Sequence, residues 1–332
     1  MRAMVLNAFG EKLALSDVPA PKPKNGEILL KMKAAGLCGT DLKIVDGKLN
    51  IITPPHIPGH EIAGEIVECG DGVSKEMLGK RIIAHTHHTC GICEFCRRGE
   101  FNMCRDIRGR LGFEMPGGLG EYLTMAAVNC VEIPDTISYT DACIVPCAMI
   151  TPYNAIKRAR IKVTDRVVML GVGGLGVHGI QFLKFLGAHV TAVDIKPEKL
   201  VKARELGADV ALSYDDFINN SERYSVIMDN VGIPKTTAAC HKKLDKHGRF
   251  VQVAYAPGLE FTYEPYFMHV NEIEIIGLRN GTIPDLLEIL QILSRNGIEP
   301  IVDRILPLEK ANEALDLIRR GEAMGRVVVT HE

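Results

Sequence analysis

Tryptophan is absent from the 332 residues and aromatic side chains amount to only 5%, which argues against a broad aromatic recognition surface. Charge imbalance is missing as well. The 39 Lys and Arg face 41 Asp and Glu, for a formal net charge of -2, so there is neither a basic stripe for nucleic acid nor an acidic tail. No uninterrupted apolar run reaches membrane-spanning length, and the segment Met1-Arg2-Ala3-Met4-Val5 opens on a strand-like pattern without a long apolar stretch. The chain therefore reads as soluble and cytoplasmic, with a small-molecule partner and no nucleic acid or membrane. Internal repeats and low-complexity tracts are also lacking.

What is abundant is glycine, at 32 residues, together with 10 cysteines. The length suits two domains of ordinary size. In a reducing compartment that many cysteines point to metal or thiol chemistry rather than disulfides.

The texture of the chain changes midway. Up to about Cys147, short β-rich runs are broken by Gly and Pro: Glu27 to Met32, Gly64 to Glu68, Arg81 to Ala84 and Glu121 to Thr124. This predicts mostly antiparallel, barrel-like material. From Thr164 strands alternate with helices: a strand from Arg166 to Leu170, a helix from Leu175 to Leu186, a strand from His189 to Asp194 and a helix from Pro197 to Leu206. Further strands are expected at Ser225 to Asp229, Arg249 to Val253 and Glu274 to Gly277, which makes five of the six candidate strands of a doubly wound sheet. Two helical stretches, Pro284 to Ser294 and Leu308 to Arg320, precede a last strand from Arg326 to Thr330.

The apolar strand Val167-Val168-Met169-Leu170 runs into Gly171-Val172-Gly173-Gly174-Leu175-Gly176, followed by a helix. This is Gly-x-Gly-x-x-Gly in the strand–turn–helix setting that a dinucleotide fingerprint requires. Gly171 permits the tight turn, Gly173 lets backbone approach a pyrophosphate, and Gly176 allows close helix packing, while the helix start offers free N–H groups to phosphate. Asp194 ends the next strand, where a carboxylate accepts from ribose hydroxyls and repels a 2′-phosphate. NAD is thus preferred over NADP, although Lys196 and Lys199 nearby leave some NADP use open.

Cys90, Cys93, Cys96 and Cys104 follow the spacing C-x2-C-x2-C-x7-C. Four thiolates this close suit one tetrahedral metal in a closed shell, read here as a structural zinc; an iron–sulfur cluster is the rival. A second set is scattered: Cys38, His60 with Glu61, and Cys147. Taken alone, each is as readily a buried thiol or a hydrogen-bonded core histidine, and spacing does not unite them.

Several motifs in order do unite them. Cys38-Gly39-Thr40-Asp41, Gly59-His60-Glu61, the four-cysteine lobe, Gly118-Leu119-Gly120-Glu121-Tyr122, the Cys147 segment, the Gly171 to Gly176 fingerprint and Gly325-Arg326 together make the chain resemble the zinc-containing alcohol dehydrogenases of the medium-chain dehydrogenase/reductase superfamily. The likeness spans essentially the whole chain. It implies a GroES-like, mostly antiparallel β catalytic domain, residues 1–146 and 280–332, around a Rossmann NAD-binding domain, residues 147–279. Cys38, His60 and Cys147 would hold a catalytic zinc, with Glu61 an alternative or transient ligand. Gly171, Gly173, Gly174, Leu175, Gly176, Asp194, Lys199 and Arg326 would serve the cofactor, Arg326 near its pyrophosphate. Dimers or tetramers are implied too, commonly through the strand near Glu274 to Leu278.

The reaction implied is hydride transfer between an alcohol or polyol and NAD, giving an aldehyde or ketone, with zinc polarising the substrate oxygen. Thr40 is the candidate to accept the hydroxyl proton, and Asp41 the residue that orients the metal ligands. In many relatives a His follows this segment; here Lys43 stands in its place. The aromatic segment from Ala254 to His269 matches no pattern of the family, and either shapes a pocket or packs between domains or subunits. Two other readings remain: a zinc-free quinone or enoyl reductase of the same superfamily, which the complete Cys38, His60 and Cys147 set opposes, and a non-enzymatic dinucleotide-binding redox sensor using Cys69, Cys130, Cys143 or Cys240. The settings of those four cysteines favour buried structural thiols.

Overall fold

The computed structural model describes residues 1–49 and 51–331. They form two compact units: Met1–Ile150 with Gly281–Asn296 and Pro300–Glu332, and Thr151–Asn280 with Gly297–Glu299. The break falls after Ile150, a few residues beyond the boundary expected at 146, and so leaves Cys147 in the first unit. Among the described residues no helix is long and apolar enough to cross a membrane.

The first unit is built on a seven-stranded sheet ordered Val302–Pro307, Arg326–Thr330, Glu27–Leu37, Glu61–Cys69, Arg81–Ala84 and Cys130–Glu132, with Tyr122–Ala126 also paired to Glu27–Leu37. Every pairing is antiparallel except the first, between Val302–Pro307 and Arg326–Thr330. The long strand Glu27–Leu37 shows why the sheet has one wet and one dry face. Ile28, Leu30 and Met32 alternate inward while Leu29, Lys31 and Lys33 stay partly exposed, as a period of two requires. The inward residues meet Ile62, Ile66, Ile82, Leu123, Met125, Val327 and Val329 in one core.

The expected strand stopped at Met32, whereas the observed one runs to Leu37. A register shift between Met32 and Ala34 explains the difference. Beyond this bulge the alternation is lost and Ala34-Ala35-Gly36-Leu37 is buried throughout, so no period-two signal marks it. That extension matters for the site. Leu37 lies opposite Val327, and Gly36 lies opposite both Val328 and Glu61, so Cys38, Glu61 and Arg326 meet where three adjacent strands begin or end.

The second unit carries six parallel strands ordered Val210–Ser213, His189–Asp194, Arg166–Leu170, Tyr224–Asp229, Leu244–Gln252 and Glu274–Gly277. In chain order this is 3-2-1-4-5-6, the doubly wound arrangement whose ligand crevice lies where the order reverses. Here that is between Arg166–Leu170, which leads into Gly171, and Tyr224–Asp229, which leads into Asn230. Continuous apolar runs fit strands covered on both faces. Val168, Leu170, Val193, Ile227 and Phe250 pack with Phe217 in its core. The strand Val210–Ser213 had no expectation of its own: four residues at a sheet edge are too few to display a period.

Candidate metal centres and dinucleotide site

Cys38 sits at the N-cap of the helix Gly39–Val45, where its sulfur accepts the Thr40 N–H at 3.3 Å. Asp41, three residues on, closes a capping box by accepting the Cys38 N–H on Oδ2 at 2.8 Å. Its other oxygen, Oδ1, lies 3.0 Å from His60 Nδ1. A carboxylate accepts, so Nδ1 carries the proton and Nε2 presents its lone pair, 3.4 Å from Cys38 Sγ. Asp41 is fully buried and His60 nearly so. One side chain therefore fixes both the cap that holds Cys38 and the tautomer of His60.

Gly59 adopts φ +100°, and a Cβ there would press on Leu119 and the Gly118 backbone; the turn it makes delivers His60. The Phe113 ring lies 5.0 Å from the imidazole, and the Arg110 guanidinium stands over the Phe113 ring at 4.5 Å from its centroid. Glu61 begins the next strand and is fully buried. Gly36 makes room for it, because a Cβ at that position would collide with the Glu61 carboxylate. Arg326 supplies the counter-charge: its Nε lies 2.9 Å from Glu61 Oε1 and 3.3 Å from Oε2, and its Nη2 donates to Cys147 Sγ at 3.5 Å. Cys147 itself rides on a π-helical turn, Val145–Met149, a local widening that often marks a functional position.

The ligand atoms of Cys38, His60, Glu61 and Cys147 all lie within 4.8 Å of one another. The hydrogen bond from Cys147, helped by His60 and Arg326, lowers the Cys38 thiol well below its ordinary range, while the same bond and burial raise Cys147. Burial pushes Glu61 up to about 7 against the pull of Arg326. Two sulfurs, an imidazole nitrogen and a carboxylate converging at this spacing fit a divalent, borderline-soft ion such as zinc.

The four-cysteine lobe fits one too. Its Sγ–Sγ separations are 3.5 Å for Cys90–Cys104, 3.6 Å for Cys93–Cys96, and 4.0 Å for both Cys90–Cys96 and Cys93–Cys104. A regular tetrahedron with zinc–sulfur bonds has edges of about 3.8 Å. Sulfurs this close are too tightly set to embrace a cluster of several irons. Cys90 N–H donates to Cys104 Sγ at 3.3 Å and Cys93 N–H to Cys90 Sγ at 3.4 Å. Amides of Arg105 and Cys96 hold Cys93 down at about 6, whereas burial pushes Cys96 up to about 12.

In the second unit Gly171 has φ +89° and packs against Val231, and a Cβ on Gly176 would strike the Gly171 carbonyl. Gly173 faces open space, with nothing within 4 Å of an added Cβ. Asp194 is tied to this loop: Oδ2 accepts Val172 N–H at 2.8 Å and Oδ1 accepts Lys196 N–H at 3.0 Å. Each oxygen keeps a further lone pair for a ribose hydroxyl. Lys199 is half-buried in the helix Pro197–Glu205, and Thr40 and Lys43 are half-buried in Gly39–Val45. Burial lowers the Lys43 amine, against the field of Cys38.

Residue reading passed over two groups that shape this unit. Asp229 is fully buried, and its carboxylate accepts Val231 N–H at 2.8 Å, Gly232 N–H at 3.0 Å and the Thr237 hydroxyl at 2.7 Å. It thereby fixes the turn on which Gly171 packs; an Asp ending an apolar strand three residues before a Gly was the available signal. His178 is the other. The aromatic segment is partly a helix, Pro265–Asn271, and Tyr263 and Phe267 set their edges on the buried His241 ring at 5.6 and 5.8 Å. Tyr255 and Tyr266 remain exposed. Burial raises Cys130 and Cys240 to about 12 and Cys143 well up, leaving those thiols protonated and poorly reactive.

Such a combination, a mixed sulfur–nitrogen–oxygen metal set in one unit and a glycine-rich loop at the switch point of a parallel sheet in the other, defines a metal- and dinucleotide-dependent dehydrogenase. Comparison with known proteins makes the class specific. Residues 24–135 match the alcohol dehydrogenase GroES-like domain and residues 174–295 the zinc-binding dehydrogenase domain. An alcohol dehydrogenase of Geobacillus stearothermophilus is 34% identical, with 99% of each chain covered. Acetophenone reductase from Geotrichum candidum, solved in complex with NAD, superposes with a TM-score of 0.92 at 32% identity, covering 99% of this chain and 97% of that one. A thermostable alcohol dehydrogenase from Pyrobaculum aerophilum gives a TM-score of 0.94 at 28% identity over 100% and 99%. The chain belongs to the zinc-containing alcohol dehydrogenase family of the medium-chain dehydrogenase/reductase superfamily.

Proposed function

We propose that this protein interconverts an alcohol or polyol and the corresponding aldehyde or ketone with NAD, using one catalytic and one structural zinc per chain. The observation that carries the reading is the arrangement of Asp41, which holds the Cys38 cap and the His60 tautomer at once, with Cys147 and Glu61 completing the donor set. Zinc, when bound there, supplies a Lewis acid that makes the alcohol acidic, and NAD supplies the hydride acceptor.

The chain's own residues do the rest. Cys38, His60 and Cys147 are the ligands, and Glu61, neutralised by Arg326, stands by as an alternate one. Thr40, whose backbone is held against Cys38 Sγ, offers its hydroxyl as acceptor of the substrate proton. Cys90, Cys93, Cys96 and Cys104 hold the structural ion. Gly171 to Gly176 cradle the pyrophosphate, Asp194 takes the ribose hydroxyls, and Lys199 and Arg326 add cationic support to the cofactor. On this reading the first unit, Met1–Ile150 with Gly281–Asn296 and Pro300–Glu332, is the catalytic domain and the second unit the cofactor domain, in a cytoplasmic homodimer or homotetramer.

The test is an elemental zinc count on the purified protein alongside an alcohol panel with NAD, followed by NADH absorbance. Two zincs per chain and NADH formation are expected. Reduction of a quinone or an enoyl group by a zinc-free preparation, with no alcohol oxidised, would overturn the reading.

A further inference from the structure

The helix Gly176–Phe185 starts on the fingerprint loop, and its first turn takes up the loop's carbonyls in order. Val177 N–H donates to Gly173 O at 3.1 Å and Gly179 N–H to Leu175 O at 2.9 Å. Between them, the Gly174 carbonyl meets a side chain: His178 Nδ1 lies 2.8 Å from it. A carbonyl oxygen only accepts, so Nδ1 is the donor. The imidazole is fully buried, where a polar ring is costly unless it makes its bonds.

The peptide that His178 grips is the one linking Gly174 to Leu175. In a planar trans peptide the carbonyl and the following N–H point in opposite directions. A Gly174 oxygen drawn inward to the buried imidazole therefore turns the Leu175 N–H outward. Open space adjoins this loop one residue earlier, where nothing lies within 4 Å of a Cβ added to Gly173. Gly174 carries no side chain of its own to set that orientation, and a glycine peptide rotates readily between alternatives.

We infer that His178 is a positioning residue for the cofactor: by holding the Gly174 carbonyl, it aims the Leu175 N–H at the dinucleotide pyrophosphate. The inference rests on the reading of the glycine loop as the NAD site. Its chemical target is the pyrophosphate alone, so adenosine, which lacks phosphate, is indifferent to it. Asparagine is the conservative replacement, because its side-chain NH2 reaches the place of Nδ1; glutamine carries its NH2 to the place of Nε2 and does not replace it.

The experiment measures NADH affinity by nicotinamide fluorescence, and displacement by ADP-ribose and by adenosine, for the wild type and for His178→Leu, His178→Asn, His178→Gln and Gly173→Asp, with the melting temperature of each. Losing one oriented N–H to a charged phosphate is expected to weaken NADH and ADP-ribose binding about tenfold in His178→Leu and His178→Gln. His178→Asn should stay within about threefold of wild type, and adenosine affinity within about twofold throughout. Should His178→Leu fail to fold, the contrast between Asn and Gln carries the test by itself. Equal losses in Asn and Gln, adenosine weakened in proportion to NADH, or wild-type NADH affinity in His178→Leu would each overturn the inference. Gly173→Asp places a carboxylate into open space beside the phosphates without a steric clash. If it leaves NADH binding unchanged, the loop is not the dinucleotide site and the role of His178 falls with it; if it abolishes binding while His178→Leu keeps wild-type NADH affinity, only the positioning role is lost.

Discussion

Cys90, Cys93, Cys96 and Cys104 come from one short segment and keep Cys90 and Cys93 partly exposed, whereas Cys38, His60, Glu61 and Cys147 are gathered from separate elements and only Cys147 is partly exposed. In the lobe, the local chain folds around four like donors, and a bound ion would do much of the organising. At the second centre the sheet does the organising. Adjacent strands bring Gly36, Glu61 and Val328 into register, and Asp41 orients two of the ligands. A closed set of identical donors suits a structural clamp; a mixed set held by the fold suits chemistry.

Breaking the buried centre at a ligand is the most damaging change. Cys38→Ser should lower kcat/KM about a thousandfold and remove one zinc of two by elemental analysis, leaving the lobe loaded. Loss of both ions together would mean that the two centres are not independent. Next comes Arg326→Met, which strands the Glu61 carboxylate without its counter-charge. Denaturant unfolding should show a loss of about 3–5 kcal/mol, partly recovered in the double variant with Glu61→Gln. A single variant as stable as wild type would show that the pair does not hold the sheet ends together.

Thr40→Ala probes chemistry without touching either ligand set: kcat should fall about a hundredfold, with zinc content and melting temperature unchanged, and Thr40→Ser should restore most of it. Lys43→Ala should cost less than Thr40→Ala. A Thr40→Ala enzyme with wild-type kcat at every pH would remove Thr40 from the proton path. The smallest effect on turnover belongs to the lobe. Cys96→Ser should cost on the order of 2 kcal/mol of stability and one zinc, while the activity of the folded fraction persists. An unchanged zinc count and melting temperature would contradict a structural role.

How much of this was legible in the sequence follows the same contrast. The lobe could be read from spacing, since its donors are neighbours in the chain. The fingerprint was legible because strand, glycines, helix and Asp194 follow one another in order. Cys38, His60 and Cys147 were not united by anything in their own neighbourhoods, and only the resemblance of the whole chain joined them. The contact of Arg326 with Glu61 and Cys147 lay beyond sequence reading, because it depends on the Arg326–Thr330 strand pairing with Glu27–Leu37 past a bulge. Asp229 and His178 were missed for another reason: each bonds nearby backbone groups, and while the Gly three residues after Asp229 was a signal, a single His in an apolar run looks like any other.

The pairing of Val327 with Leu37 and of Val328 with Gly36 also has a bearing on the order of events at the ribosome. A chain grows from its N-terminus at about 5–20 residues per second, so the strand that leads into Cys38 and the one that starts at Glu61 emerge on the order of tens of seconds before Arg326. Through that interval the Glu61 carboxylate has no guanidinium to meet, and the sheet lacks two of its strands. The inserted parallel-sheet unit is synthesised meanwhile, with all six of its strands contiguous in the nascent chain. Of the three strands that meet at the buried centre, the one beginning at Arg326 is thus translated after the other two.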